Sequence, residues 1–64
     1  MTNKELKRQI NFDLQVARNY FIQLKEDITR YKKTSATYRL LLENIGILSG
    51  TINAYMRILQ LMED

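Results

Sequence analysis

The chain has 64 residues, a formal net charge of +3, and neither cysteine nor histidine. This length allows one domain at most, and a core of that size seldom supplies more than ~3–5 kcal/mol of stability. The composition excludes disulfide bonds and metal sites built from thiolate or imidazole, so we expect no metal and no cofactor. Self-association or partner binding is the remaining route to additional stability.

The charge is unevenly distributed along the chain. Residues 1–33 carry eight basic and four acidic groups, and residues 34–64 carry two basic and three acidic groups. The basic half suits an acidic protein or a nucleic acid, and it equally suits a solvated helix face. A charged N-terminus predicts no signal peptide, and the nearly apolar run of residues 40–48 is too short to span a membrane. We therefore expect a soluble cytoplasmic protein.

Residues 3–33 are predicted to form the first helix. Thr2 and Glu5 have the spacing of a capping box, and Glu26 and Arg30 have the i,i+4 spacing of an ion pair. Apolar residues recur at steps of three and four, which is the heptad seam of packed helices. The seam consists of Ile10, Leu14, Ala17, Phe21, Leu24, Ile28 and Tyr31.

A polar stretch at residues 32–35 predicts a turn at about 33–36, with Thr34 or Ser35 as the N-cap of a second helix. That helix is predicted at about 36–63. Its seam continues the same steps, through Tyr38, Leu41, Ile45, Leu48, Ile52, Tyr55, Leu59 and Met62. Folding the chain at the turn pairs the two seams in layers, from Tyr31 with Tyr38 to Ile10 with Leu59. The sequence therefore predicts one all-α domain over residues 1–64, an antiparallel two-helix hairpin.

The second helix carries more apolar side chains than one partner helix can cover. Four of them recur every seven residues beside the seam and a fifth lies between them: Leu40, Ile47, Ala54, Leu61 and Ile58. Exposed apolar patches of this kind usually mark interfaces, so we expect a homodimer that forms a four-helix bundle. We also expect another protein as a partner. The predicted interface is this stripe, flanked by a basic row on the first helix: Arg18, Lys25 and Lys32.

Two glycines, Gly46 and Gly50, leave two interpretations of the second helix open. Each glycine costs about 0.8–1.0 kcal/mol relative to alanine inside a helix, so a bend or turn at 46–50 would explain them. The seam continues through both glycines without interruption, which favours a straight helix. Leu42 and Leu48 favour it as well, because a helix-turn-helix has a small and a polar residue at those positions.

The segment from Tyr38 to Arg57 resembles the helix-turn-helix of phage-type repressors. In that motif a glycine opens the turn and a branched residue anchors the recognition helix about six residues later, as Gly46 and Ile52 do here. The resemblance implies a DNA-binding regulator dimerised through the first helix. Its major-groove contacts would come from Ser49, Gly50, Asn53, Ala54 and Arg57.

The sequence offers little chemistry for catalysis or for a small-molecule substrate. Carboxylates are scattered, and the one beside the seam, Asp13, is expected to hydrogen-bond Tyr55. We therefore expect a protein that is not an enzyme and that acts as a regulator or adaptor by binding protein. The size and build are similar to compact inhibitors and anti-repressors of phages and other mobile elements, an analogy of fold alone. A structural subunit stacking into larger assemblies is a third interpretation.

Overall fold

The structure is a computed structural model, and it describes residues 2–63. It consists of helix α1 (Asn3–Ile28) and helix α2 (Ala36–Met62), which run antiparallel and pack along their length. The hairpin measures 47 × 15 × 15 Å. The all-α helical hairpin predicted from the two seams is confirmed.

Both helices begin at a side-chain cap. The amide N–H of Glu5 donates to the Thr2 hydroxyl oxygen at 3.1 Å, and the N–H of Tyr38 donates to the Ser35 hydroxyl oxygen at 3.1 Å. Each cap satisfies one of the four amides that lack a carbonyl partner in the first turn of a helix. Ser35 is therefore the N-cap of α2, and α2 begins at the predicted residue.

Helix α1 ends at Ile28, five residues before the predicted end. The Thr29 hydroxyl donates to the carbonyl oxygen of Glu26 at 2.6 Å, and the next amides donate to carbonyls three residues back rather than four. This pattern is a tightened turn that ends the α-helix. The physical reason is the position of the second cap: a helix reaching residue 33 would leave only Thr34 to reverse the chain before Ser35.

Burial follows the predicted seams. The core consists of four α1 residues, and every predicted α2 seam position is half-buried. Tyr31 is an exception, because it lies beyond the end of α1 and is 45% exposed. The predicted layer of Tyr31 with Tyr38 is therefore not part of the helix pair. The four core residues are Ile10, Leu14, Ala17 and Leu24.

The register of the hairpin is marked at its open end by an ion pair. Lys7 Nζ lies 3.6 Å from Glu63 Oε1. Lys7 comes one turn before Ile10, and Glu63 comes one turn after Leu59. The ion pair therefore agrees with the predicted layer of Ile10 with Leu59.

Helix α2 is continuous through residues 46–49, the segment that a helix-turn-helix would use as its turn. Neither glycine has a positive φ. One side-chain hydrogen bond in this part of α2 is of a kind that bends helices: the Thr51 hydroxyl donates to the Ile47 carbonyl oxygen at 3.0 Å. Such a bond bends a helix slightly without breaking it. The structure therefore has a continuous second helix, with no turn at residues 46–49.

Alanine at either glycine of α2 is expected to stabilise the protein. A Cβ atom built at Gly46 or Gly50 meets nothing within 4 Å, so the helix propensity of alanine is gained without a clash. We expect the free energy of unfolding to rise by about 0.8–1.0 kcal/mol for each substitution, measured by chemical denaturation. A loss of stability in G46A or G50A would contradict an open, straight helix at these positions.

Candidate functional site

The hairpin has two different sides. Two surface residues on each helix show which residues lie on which side. Arg18 and Tyr20 are two residues apart, about 200° around α1, so they flank the seam on opposite sides. The same spacing places Met56 and Ile58 on opposite sides of the α2 seam. Arg18 and Met56 line the same trough between the helices. Tyr20 and Ile58 therefore share the other side.

The side that contains Tyr20 and Ile58 is apolar over most of its length. Its α2 part is the predicted stripe, and it is exposed, with Leu40 60%, Ile47 67% and Leu61 68% accessible. Helix α1 contributes two exposed side chains to it, Val16 at 52% and Tyr20 at 55%. We call this surface the apolar side; it comprises Val16, Tyr20, Leu40, Ile47, Ala54, Ile58 and Leu61.

Three polar side chains on the apolar side already have partners within the chain. Asp13 and Asp27 lie seven residues before and after Tyr20, and each carboxylate accepts a bond from the glutamine four residues earlier, at 3.0 and 3.1 Å. The Thr51 hydroxyl is bonded to its own helix at 3.0 Å. Because burial of an unpaired polar group is costly, these internal bonds lower the cost of covering this side with a partner.

The opposite side carries most of the cations of α1. We call it the basic side; it includes Lys4, Arg8, Arg18 and Lys25 on α1, with Arg39, Leu42 and Met56 on α2. The predicted interface combined the apolar stripe with Arg18, Lys25 and Lys32, and the structure separates them. Arg18 and Lys25 lie across the seam from the stripe, and Lys32 lies in the connection between the helices. Arg18 and Lys25 each follow a seam residue, whereas the stripe residues each precede one. This difference places the two sets on opposite sides of the hairpin.

The residues that the helix-turn-helix resemblance assigns to DNA lie on one continuous helix. Four of them, Gly50, Asn53, Ala54 and Arg57, line a shallow depression of about 360 Å³ on the surface of α2. Ser49 is half-buried. DNA binding by these residues stays a prediction.

Two predicted polar contacts have different partners in the structure. Asp13 accepts its hydrogen bond from Gln9 rather than from Tyr55. The ion pair of Arg30 is with Asp27, at 3.9 Å, rather than with Glu26. In both cases the observed partner lies three or four residues away in the sequence, so these two carboxylates of α1 make local contacts. Over residues 2–63 no three carboxylates converge as metal ligands would.

Comparison with known proteins identified no relative of this chain. No protein-family model, no curated protein and no solved structure matches it. Of the two helices described, neither combines the length and the apolar character that crossing a membrane requires. The inference of function therefore depends on the two sides of the hairpin.

Proposed function

We propose that this protein is a small cytoplasmic regulator or adaptor, which is not an enzyme and acts by binding protein through its apolar side. The observation that carries the proposal is the burial of α2. This is the more hydrophobic of the two helices, yet none of its residues is buried, whereas α1 buries four. Helix α2 thus lies against α1 on one side and leaves a second apolar stripe uncovered.

The large accessible surface of the chain supports the proposal that a partner covers part of it. The accessible surface is 5334 Å², whereas a compact protein of 7.6 kDa is expected to expose about 4,300 Å². The radius of gyration is 14.8 Å, against about 11 Å for a compact chain of this length. The excess of roughly 1,000 Å² is close to the ~800 Å² that each partner buries in a standard interface.

A second copy of the chain is the occupant that we propose for the apolar side. Two identical stripes meet around a two-fold axis, because such an axis places the same surface on both partners. Two hairpins joined in this way form a four-helix bundle, in which the stripe residues become core residues. The bundle leaves the basic sides of both copies on the outside.

Sedimentation of the wild-type protein over a concentration series tests the proposal. We expect a dimer at micromolar concentration that dissociates on dilution and does not grow into larger assemblies as the concentration rises. A folded monomer throughout the micromolar range would contradict self-association through the apolar side. Growth beyond the dimer would instead support a structural subunit that stacks into larger assemblies.

A further inference from the structure

The largest depression on the basic side is a trough between the two helices. It has a volume of about 660 Å³ and includes two guanidinium groups, Arg18 from α1 and Arg57 from α2. Leu14, Leu59 and Met56 make part of its surface apolar, and Met56 is 46% exposed. The trough thus offers a hydrophobic contact between two cations.

The trough continues along α1 into a second depression of about 490 Å³ that shares Leu14 and Arg18 with it. Carboxamide side chains are the commonest polar groups in the two depressions. They can donate to and accept from a peptide backbone at the same time. The five of them are Asn11, Gln15, Asn19, Asn53 and Gln60.

The charge around the trough is strongly one-sided. Lys4, Arg8 and Lys25 lie along the same side of α1 as Arg18. The one carboxylate that lines the trough belongs to Glu63, and it already contacts Lys7 at 3.6 Å. Within residues 2–63, neither guanidinium of the trough forms an ion pair. The electrostatic potential in the trough therefore favours a negatively charged ligand.

We propose that this trough binds an acidic peptide segment of a partner protein. Carboxylates of the segment pair with Arg18 and Arg57, for which a planar guanidinium is suited, and an apolar side chain of the segment packs on Met56. Charge complementarity selects an acidic segment, and the apolar surface selects a peptide over a phosphate backbone.

This inference goes beyond the proposed self-association, because it uses the opposite side of the hairpin. An adaptor with both surfaces dimerises through one side and presents two identical peptide sites on the other. Two linked sites raise the avidity for a partner that carries two acidic segments. The two surfaces are separable by substitution, since the two sets of residues that define them do not overlap.

Fluorescence anisotropy with a labelled peptide of about 15 residues, rich in glutamate and with leucine at every third or fourth position, tests this site. We expect binding by the wild-type protein that weakens with added salt. R18E and R57E are each expected to weaken it about tenfold or more. K33E is the matched control, because it makes the same charge change at an exposed residue in the connection, and we expect it to bind within about twofold of wild type.

Three results would overturn the proposal. The first is no binding of the peptide by the wild-type protein at high micromolar concentration. The second is an equal loss in K33E, which would show that net charge alone attracts the peptide. The third is tighter binding of a DNA duplex with the same dependence on Arg18 and Arg57, which would assign the trough to nucleic acid. Circular dichroism and sedimentation of each variant separate these results from misfolding and from loss of the dimer.

Discussion

Leu24→Ala is expected to unfold the hairpin near room temperature. Leu24 is the most buried of the four core residues, at 5% exposure, and truncating a buried leucine to alanine costs about 2–5 kcal/mol. A core of this size seldom supplies more than ~3–5 kcal/mol in total. The loss is therefore comparable to the whole stability of the domain, and far-UV circular dichroism of a dilute sample should show loss of most of the helical signal.

Leu42→Ala is the matched control for this prediction. Leu42 is 53% exposed on the basic side of α2, so the same substitution removes few packing contacts. Surface changes of this kind usually alter stability by less than about 0.5 kcal/mol, and we expect an unchanged helical signal. If L24A kept its helicity at the same dilution, the layer around Leu24 would not be what holds the chain folded.

The hairpin could be predicted from the sequence because its strongest signal is periodic. Steps of three and four predict which face of each helix turns inward, and the half-buried positions of α2 follow them from Tyr38 to Met62. The cap at Ser35 could be predicted for a local reason, since a hydroxyl before a helical stretch satisfies its free amides. Both signals are contained within a few neighbouring residues.

The end of α1 could not be predicted, because the sequence after Ile28 carries no strong signal that stops a helix. Residues 29–35 contain no glycine or proline, and they are compatible with further helix. What ends the helix is the need to reverse the chain before the Ser35 cap, which is a property of the whole hairpin. The exposure of Tyr31 follows from the same constraint.

The residues of the predicted interface lie on two sides of the hairpin, for a geometric reason that the sequence spacing already contained. A residue just after a seam position and a residue just before one lie on opposite sides of the hairpin. Arg18 follows Ala17 and Ile58 precedes Leu59, so an antiparallel arrangement places them across the seam from each other. Applying this rule to Tyr20, which precedes Phe21, would have joined it to the stripe of α2. The sides of a helix pair can thus be assigned once its antiparallel direction is known.

Covering of the apolar side by a second copy, as proposed above, would explain why the chain tolerates two helix glycines in a small domain. Each glycine lowers stability by about 0.8–1.0 kcal/mol, and together they remove a substantial part of what the hairpin core supplies. A second copy that covers the stripe adds buried apolar surface at about 25 cal/mol per Å², before the cost of association. The proposed self-association would therefore compensate for a weak hairpin, and we expect the folded state to become less stable on dilution.

Ile47→Glu is expected to abolish the dimer. Ile47 lies near the middle of the stripe and is 67% exposed in the hairpin, so the isolated hairpin accepts glutamate with little strain. In a four-helix bundle the same carboxylate would be buried without a partner, once in each copy, which costs several kcal/mol per charge. We expect the variant to sediment as a folded monomer at concentrations where the wild-type protein is a dimer.

Ile22→Glu separates the apolar side from a general effect of added charge. Ile22 is an isoleucine of similar exposure, 55%, and it lies beside Arg18 on α1, where it lines the depression on the basic side. The substitution changes the same atoms and the same net charge as Ile47→Glu, but at a residue outside the apolar side. We therefore expect Ile22→Glu to remain a dimer. Dissociation of both variants would place the interface elsewhere or make assembly a matter of net charge, and persistence of the dimer in Ile47→Glu would remove the stripe from the interface altogether.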